Sequence, residues 1–190
     1  QKDQPHRAKN GAEFIKLTTG IDYTQLGNNY ISSTSEWVDG NKMFIDKQPQ
    51  NSLNIGIIHL SLPSAKIIHV KRHPLDTCFA IYKNLFSNAY PWSYNLDELA
   101  DYYIAHHHLM EHWHRSLPGK IHEVNYEHLV NDLEGQTRLM LEFCQLDWQQ
   151  QCIEFQKHAA PSATASASQI RSPVYKSSIG RWKNYATELA

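Results

Sequence analysis

A chain of 190 residues, 41% of them hydrophobic, is long enough for one packed core and too polar for a membrane protein. Its 18 basic and 19 acidic side chains leave a net charge of −1, which excludes a nucleic-acid partner held by bulk charge. No run nears the roughly 18 apolar residues of a bilayer span and no secretory signal shows, so no membrane is expected. Cys78, Cys144 and Cys152 are odd in number and widely spaced. They make no disulfide framework and fit a reducing compartment, the cytoplasm.

Taken in order, residues 1–11 are polar and read as a loose terminus. Gln1 stands where a methionine would, which reads as the loss of an upstream part. Glu13 to Leu17 opens a helix, and Tyr23 to Tyr30 forms another that ends near Gly27. Met43-Phe44-Ile45 reads as a short strand, broken by the polar run Asp46 to Asn51. Lys47 then stands at a strand's carboxyl end, where α/β folds collect ligands. Taken alone, it reads more readily as a solvated loop lysine. Ser52 to Leu60 is expected to be helical.

The β-branched run Ile67 to Val70 predicts a buried strand. Arg72 stands at its end, and Pro74 fits a first helical position, where its missing N–H costs nothing. Phe79, Tyr82, Lys83 and Phe86 follow at helical spacing. A strand therefore delivers an arginine to the mouth of a helix, a geometry suited to anions and open also to an ordinary surface ion pair. Cys78, one turn in, has no partner base and reads as a small packed residue.

Ser87 to Leu96 is aromatic and turn-rich, suited to an acceptor pocket or to a packed connector. Asp97 to Arg115 predicts a long helix, with Asp97 as cap or first-turn charge. On it, His108 and His112 have legal zinc spacing. No Cys or carboxylate cluster completes a shell nearby in the sequence, so no metal is expected. Pro118-Gly119 is a turn, Lys120 to Val124 a strand and Leu133 to Cys144 a helix. On the residues alone, Tyr126 reads as a core ring. Residues 159–168, rich in Ala, Ser and Thr, have linker composition.

The run Lys71-Arg72-His73-Pro74-Leu75-Asp76-Thr77-Cys78-Phe79-Ala80-Ile81-Tyr82-Lys83 strongly resembles the 3′-phosphate-binding segment of sulfotransferases that use 3′-phosphoadenosine 5′-phosphosulfate (PAPS). The resemblance is nearest to the tyrosylprotein sulfotransferase-like branch, which in bacteria is often fused to upstream tetratricopeptide repeats. Leu26-Gly27-Asn28-Asn29-Tyr30-Ile31, the DKxPxN run at Asp46, and Tyr126-Glu127-His128-Leu129-Val130 are similar to further family segments. So is Ser166 to Tyr185, which resembles the C-terminal loop that closes over the cofactor's 3′-phosphate.

The resemblance implies an α/β fold: a mostly parallel sheet flanked by helices, like P-loop kinases. It implies one partial domain over residues 1–190 and sulfuryl transfer from PAPS to a hydroxyl, on protein tyrosine or a small molecule. Lys47 would stabilise charge on the transferred group. Arg72, Ser166, Arg171, Tyr175, Lys176 and Arg181 would hold the 3′-phosphate, and Tyr126 would lie against the nucleotide. Two departures stand out. No Gly-rich loop resembling PRSGT occurs, since Lys16-Leu17-Thr18-Thr19-Gly20 lacks the glycine spacing, and the catalytic base has no evident counterpart. Ala80 stands where relatives usually have a phosphate-binding serine. These leave open a non-catalytic module that binds 3′-phosphoadenosine 5′-phosphate (PAP), and, with less in its favour, a kinase of related fold.

Overall fold

The computed structural model describes residues 10–38, 43–86, 90–157 and 173–187. They form two compact units, 1–65 and 66–190.

The first unit is helical. Helix α1 (Gly11–Thr18) is capped by Asn10, whose Oδ1 accepts from Glu13 N at 2.9 Å. Helix α2 (Tyr23–Val38) runs on through Gly27, where the sequence predicts a stop. The reason is packing against α3 (Ile55–Ser61). A Cβ built on Gly27 would collide with the Ser61 carbonyl, so the glycine lets two backbones meet. Backbone cannot give way as a flexible side chain can. Gly27→Ala is therefore expected to cost about 1–3 kcal/mol, the range for overpacking, measurable by urea denaturation.

Residues 43–48 carry no regular structure, and Pro49–Asn54 is a 3₁₀ turn leading into α3. The expected strand at Met43 does not form. An isolated extended segment gains little without a ladder partner, and none lies beside it among the described residues. Tyr30 fixes this segment instead. Its hydroxyl donates to Asp46 Oδ2 at 2.6 Å, and its ring stacks on Phe44. That hydrogen bond, with some burial and the nearby carboxylate charge, pushes the phenol up to about 12. The raised value means the protonated phenol is the stabilised form. The bond's contribution is complete below pH 10, the unfolded value, and is lost as pH rises through about 12. Titrating tyrosinate absorbance should show Tyr30 ionising late, alongside Tyr102 and Tyr103, which burial also raises, and Tyr30→Phe should remove one late-ionising group.

The second unit is a βαβ arrangement. Strand β1 (Ile67–Lys71) leads to α4 (Pro74–Tyr82), α5 (Leu96–Ser116) and β2 (Ile121–Asn125), which pairs parallel to β1. Helices α6 (Tyr126–Asn131) and α7 (Leu133–Cys144) follow. Side-chain amides cap two of these helices. Asn95 Oδ1 accepts from Asp97 N and Glu98 N, and Asn125 Oδ1 from His128 N, so Asp97 is a first-turn charge. The core gathers Phe79, Leu99, Met110, Ile121, Val124 and Val130. Strand β1 alternates in burial, with Val70 62% exposed, where its β-branched run predicts burial on both faces.

The aromatic connector is packed. Trp92 stacks on Tyr102 at 3.8 Å between centroids, and Ser93 is fully buried. Of its two readings, the described part favours the connector. Burial raises the Cys78 thiol, which keeps it protonated and unreactive. On the inner face of β1, burial and neighbouring cations and histidines push His69 down to about 4, against the pull of Glu123. No helix among the described residues is long and apolar enough to cross a membrane.

Candidate functional site

Strand β1 ends at Lys71, and the next two residues turn the chain into α4. His73 is extended, and Pro74 starts the helix with its fixed φ. Thr77 Oγ1 donates back to the His73 carbonyl at 3.0 Å, which steadies the turn. The backbone N–H of His73 donates to Glu127 Oε1 at 2.9 Å, tying this corner to the start of α6.

Arg72 projects from that corner. Its Nη2 donates to the Ser178 carbonyl at 2.5 Å, and its guanidinium lies over the Tyr126 ring at 5.2 Å. Among the described residues its Nε is buried with no hydrogen-bond partner. A buried guanidinium donor left unpaired is costly, and an acceptor from outside the chain would offset that cost. A phosphate oxygen suits a guanidinium fork.

Asp76, one turn into α4, is only 1% exposed. Its carboxylate accepts from Gly180 N at 2.6 Å and Trp182 N at 3.1 Å. A C-terminal loop is thus clasped onto α4 twice, by Arg72 through a carbonyl and by Asp76 through two N–H groups. Gly180 has φ 71°, left-handed backbone that favours glycine. Trp182 stacks on His73, centroids 5.4 Å apart and planes within 8°, and Tyr185 packs on Phe79 at 4.5 Å. These two rings anchor the loop to the body of the unit. A cavity of about 300 Å³ opens between His73, Asp76 and Glu127 on one side and Gly180, Trp182 and Lys183 on the other.

Of the residues selected from sequence, Arg72, Tyr126 and the loop bearing Tyr175, Lys176 and Arg181 come together. The side chains of Tyr175, Lys176 and Arg181 are exposed and do not line the cavity; Lys183 does. Lys47 is exposed in the irregular segment of the first unit. Ser166 and Arg171 lie outside the described residues. Sequence reasoning missed Asp76, His73 and Glu127. All three fall inside the two motifs it quoted, which was the available signal. His108 and His112 face different partners. His108 Nδ1 lies 3.3 Å from Glu111, His112 Nε2 lies 3.5 Å from Ser116 Oγ, and both are exposed.

The residues fit a phosphorylated nucleotide in their cations and in the unpaired Arg72 Nε. The carboxylates of Asp76 and Glu127 would repel an anion, but both already accept from backbone N–H groups.

Comparison with known proteins places this geometry. A profile of the sulfotransferase family matches residues 3–150, a span holding the Lys47 segment, Arg72 and Tyr126 but ending before the clasped loop. An uncharacterized protein of Aquifex aeolicus (strain VF5) is 33% identical over 163 residues, or 84% of this chain and 21% of its own length. The chain thus spans about a fifth of that relative. With more than half its length matched, and with a strand, an arginine and a helix in the arrangement its motifs imply, the chain belongs to the sulfotransferase family.

Proposed function

We propose that the chain is the 3′-phosphate-binding part of a PAPS-dependent sulfotransferase that sulfates a hydroxyl, on protein tyrosine or a small molecule, in the cytoplasm. The carrying observation is the Arg72 corner: a guanidinium with a buried, unpartnered Nε, braced by Tyr126 and by a clasped cationic loop. The 3′-phosphate would complete that donor. Lys176, Arg181 and Lys183 offset the nearby carboxylates. The two units are read as parts of one sulfotransferase domain, which is supported by a family match that runs across both.

PAPS supplies the activated sulfuryl group. The chain's own work would be to hold the nucleotide through Arg72 and, through the Lys47 ammonium, to neutralise charge developing on the bridging oxygen. The chain has no PRSGT-like phosphate loop, and Ala80 gives no hydroxyl. The 5′-phosphosulfate contacts and the base are therefore assigned to the longer protein, in which upstream tetratricopeptide repeats would fit the bacterial branch.

Calorimetry with PAP and with adenosine 5′-phosphate tests the reading. PAP is expected to bind roughly ten- to a hundredfold more tightly, the worth of a charge-assisted hydrogen bond. Equal affinities would remove the 3′-phosphate site. With PAPS and a panel of tyrosine peptides and phenols, the chain alone is expected to release no PAP above a protein-free control. A non-catalytic PAP-binding module is favoured instead if the longer protein, carrying its upstream sequence, also binds PAP and stays inactive.

A further inference from the structure

On the sheet face opposite exposed Val70, three side chains from three elements converge. His69 lies on β1, Glu123 on β2 directly across the ladder, and His114 in the last turn of α5. His69 Nδ1 is 3.7 Å from Glu123 Oε2, and His114 Nε2 is 3.7 Å from the same oxygen. All the donor atoms lie within 4.8 Å of one another. Both distances are too long for hydrogen bonds, and among the described residues both ring nitrogens are buried without a partner. Two orphaned imidazole nitrogens aimed at one carboxylate oxygen are unusual in a packed protein.

The geometry points to a divalent transition-metal site, with Zn²⁺ the best-fitting ion, held by His69 Nδ1, His114 Nε2 and Glu123 Oε2. In a tetrahedral zinc site with bonds of 2.0–2.2 Å, donor atoms stand about 3.3–3.5 Å apart. The two edges at 3.7 Å need a contraction of a few tenths of an ångström, and the histidine–histidine edge, within 4.8 Å, needs up to about 1.5 Å. Two imidazoles and one carboxylate make a borderline donor set that suits zinc over the harder magnesium or calcium. Three protein ligands leave a fourth position for water. Lys71 Nζ, 3.6 Å from Glu123 Oε1, holds the second carboxylate oxygen and turns Oε2 toward the histidines. Its charge also opposes a cation, which sets an expectation of micromolar and not tighter affinity. His106 packs on the His69 ring at 5.8 Å and closes the site from α5.

Such an ion would bind both strands to α5. Because Arg72 follows His69 by three residues, just past the end of β1, it would also brace the strand that leads to the arginine. It is a role apart from nucleotide binding.

The rival for added metal is the exposed group on α5, where His107 and His108 flank Glu111 at 3.5 and 3.3 Å. The full chain should be titrated with Zn²⁺ alone, followed by calorimetry, melting temperature and, in parallel, the visible spectrum with Co²⁺. One Zn²⁺ per chain is expected, with a raised melting temperature and the intense visible bands of four-coordinate cobalt. Glu123→Gln and His114→Ala should each weaken binding at least about tenfold, while His107→Ala/His108→Ala leaves it unchanged. Absence of binding, a weak six-coordinate cobalt spectrum, an unmoved melting temperature, or loss of binding in the His107/His108 variant would each overturn the site. The cobalt and melting experiments use the unaltered protein, so a variant that fails to fold does not decide the matter.

Discussion

Asp76→Ala is expected to release the C-terminal loop from α4 while the rest of the second unit stays folded. The carboxylate is buried and accepts from two backbone N–H groups, on Gly180 and Trp182. Hydrogen bonds to a charged group contribute about 1.5–3 kcal/mol each, so losing both should cost the docked loop about 3 kcal/mol or more. The remaining ties, the Ser178 carbonyl on Arg72 and two ring contacts, are weaker. Hydrogen exchange reads the effect directly. The amides of Gly180 and Trp182 should lose more than a hundredfold of protection, while those of β1 and β2 hold theirs. Asp76→Asn keeps one acceptor and turns an amide donor toward the other N–H, so it should lie between. Uniform loss of protection across β1, β2 and the loop would instead make Asp76 a support of the whole unit.

Arg72→Ala is expected to cost about 1.5–3 kcal/mol of PAP affinity, roughly ten- to a hundredfold, and to leave adenosine binding nearly unchanged. Arg72 has a second duty in the Ser178 contact. Arg72→Lys separates the two. An ammonium keeps the charge but has no Nε to fill the unpaired position and cannot stack as a plane over Tyr126. If phosphate binding dominates, Lys should restore a minor part of PAP affinity and leave the loop's exchange protection intermediate. Equal losses for PAP and adenosine would mark the arginine as purely structural.

The strands and helices of the second unit were legible because local signals agreed. The Ile67 to Val70 run, Pro74 at a helix start and Asp97 in the first turn of α5 all point to the elements observed, while the caps themselves, Asn95 and Asn125, were not singled out. Misreadings came where tertiary context overrides local preference. Gly27 reads as a stop by propensity, yet it continues α2 because α3 crosses there. Met43 to Ile45 has strand composition without a strand beside it. In the site, Arg72 was legible from its place at the end of a β-branched run. Asp76 was not, because a carboxylate one turn from an arginine proposed to bind phosphate argues against itself until its partners are known. The His69, His114 and Glu123 cluster was equally hidden. No spacing in the chain announces it, and only the parallel register sets His69 opposite Glu123.

The clasp also sets when the Arg72 corner can form during synthesis. Asp76 and Gly180 are 104 positions apart, and Arg72 and Ser178 are 106. At about 5–20 residues per second, a ribosome takes roughly 5–20 s to add the residues Asp76 waits for. Through that interval α4 exists with a carboxylate and a guanidinium that have no loop to hold. Closing a loop of that length costs entropy that grows only with the logarithm of its size, so the delay is a matter of timing more than of stability. The Arg72 corner is then the last part of the unit to mature, and on the proposed function any nascent chain stopped before Gly180 should fold its βαβ body yet bind no PAP.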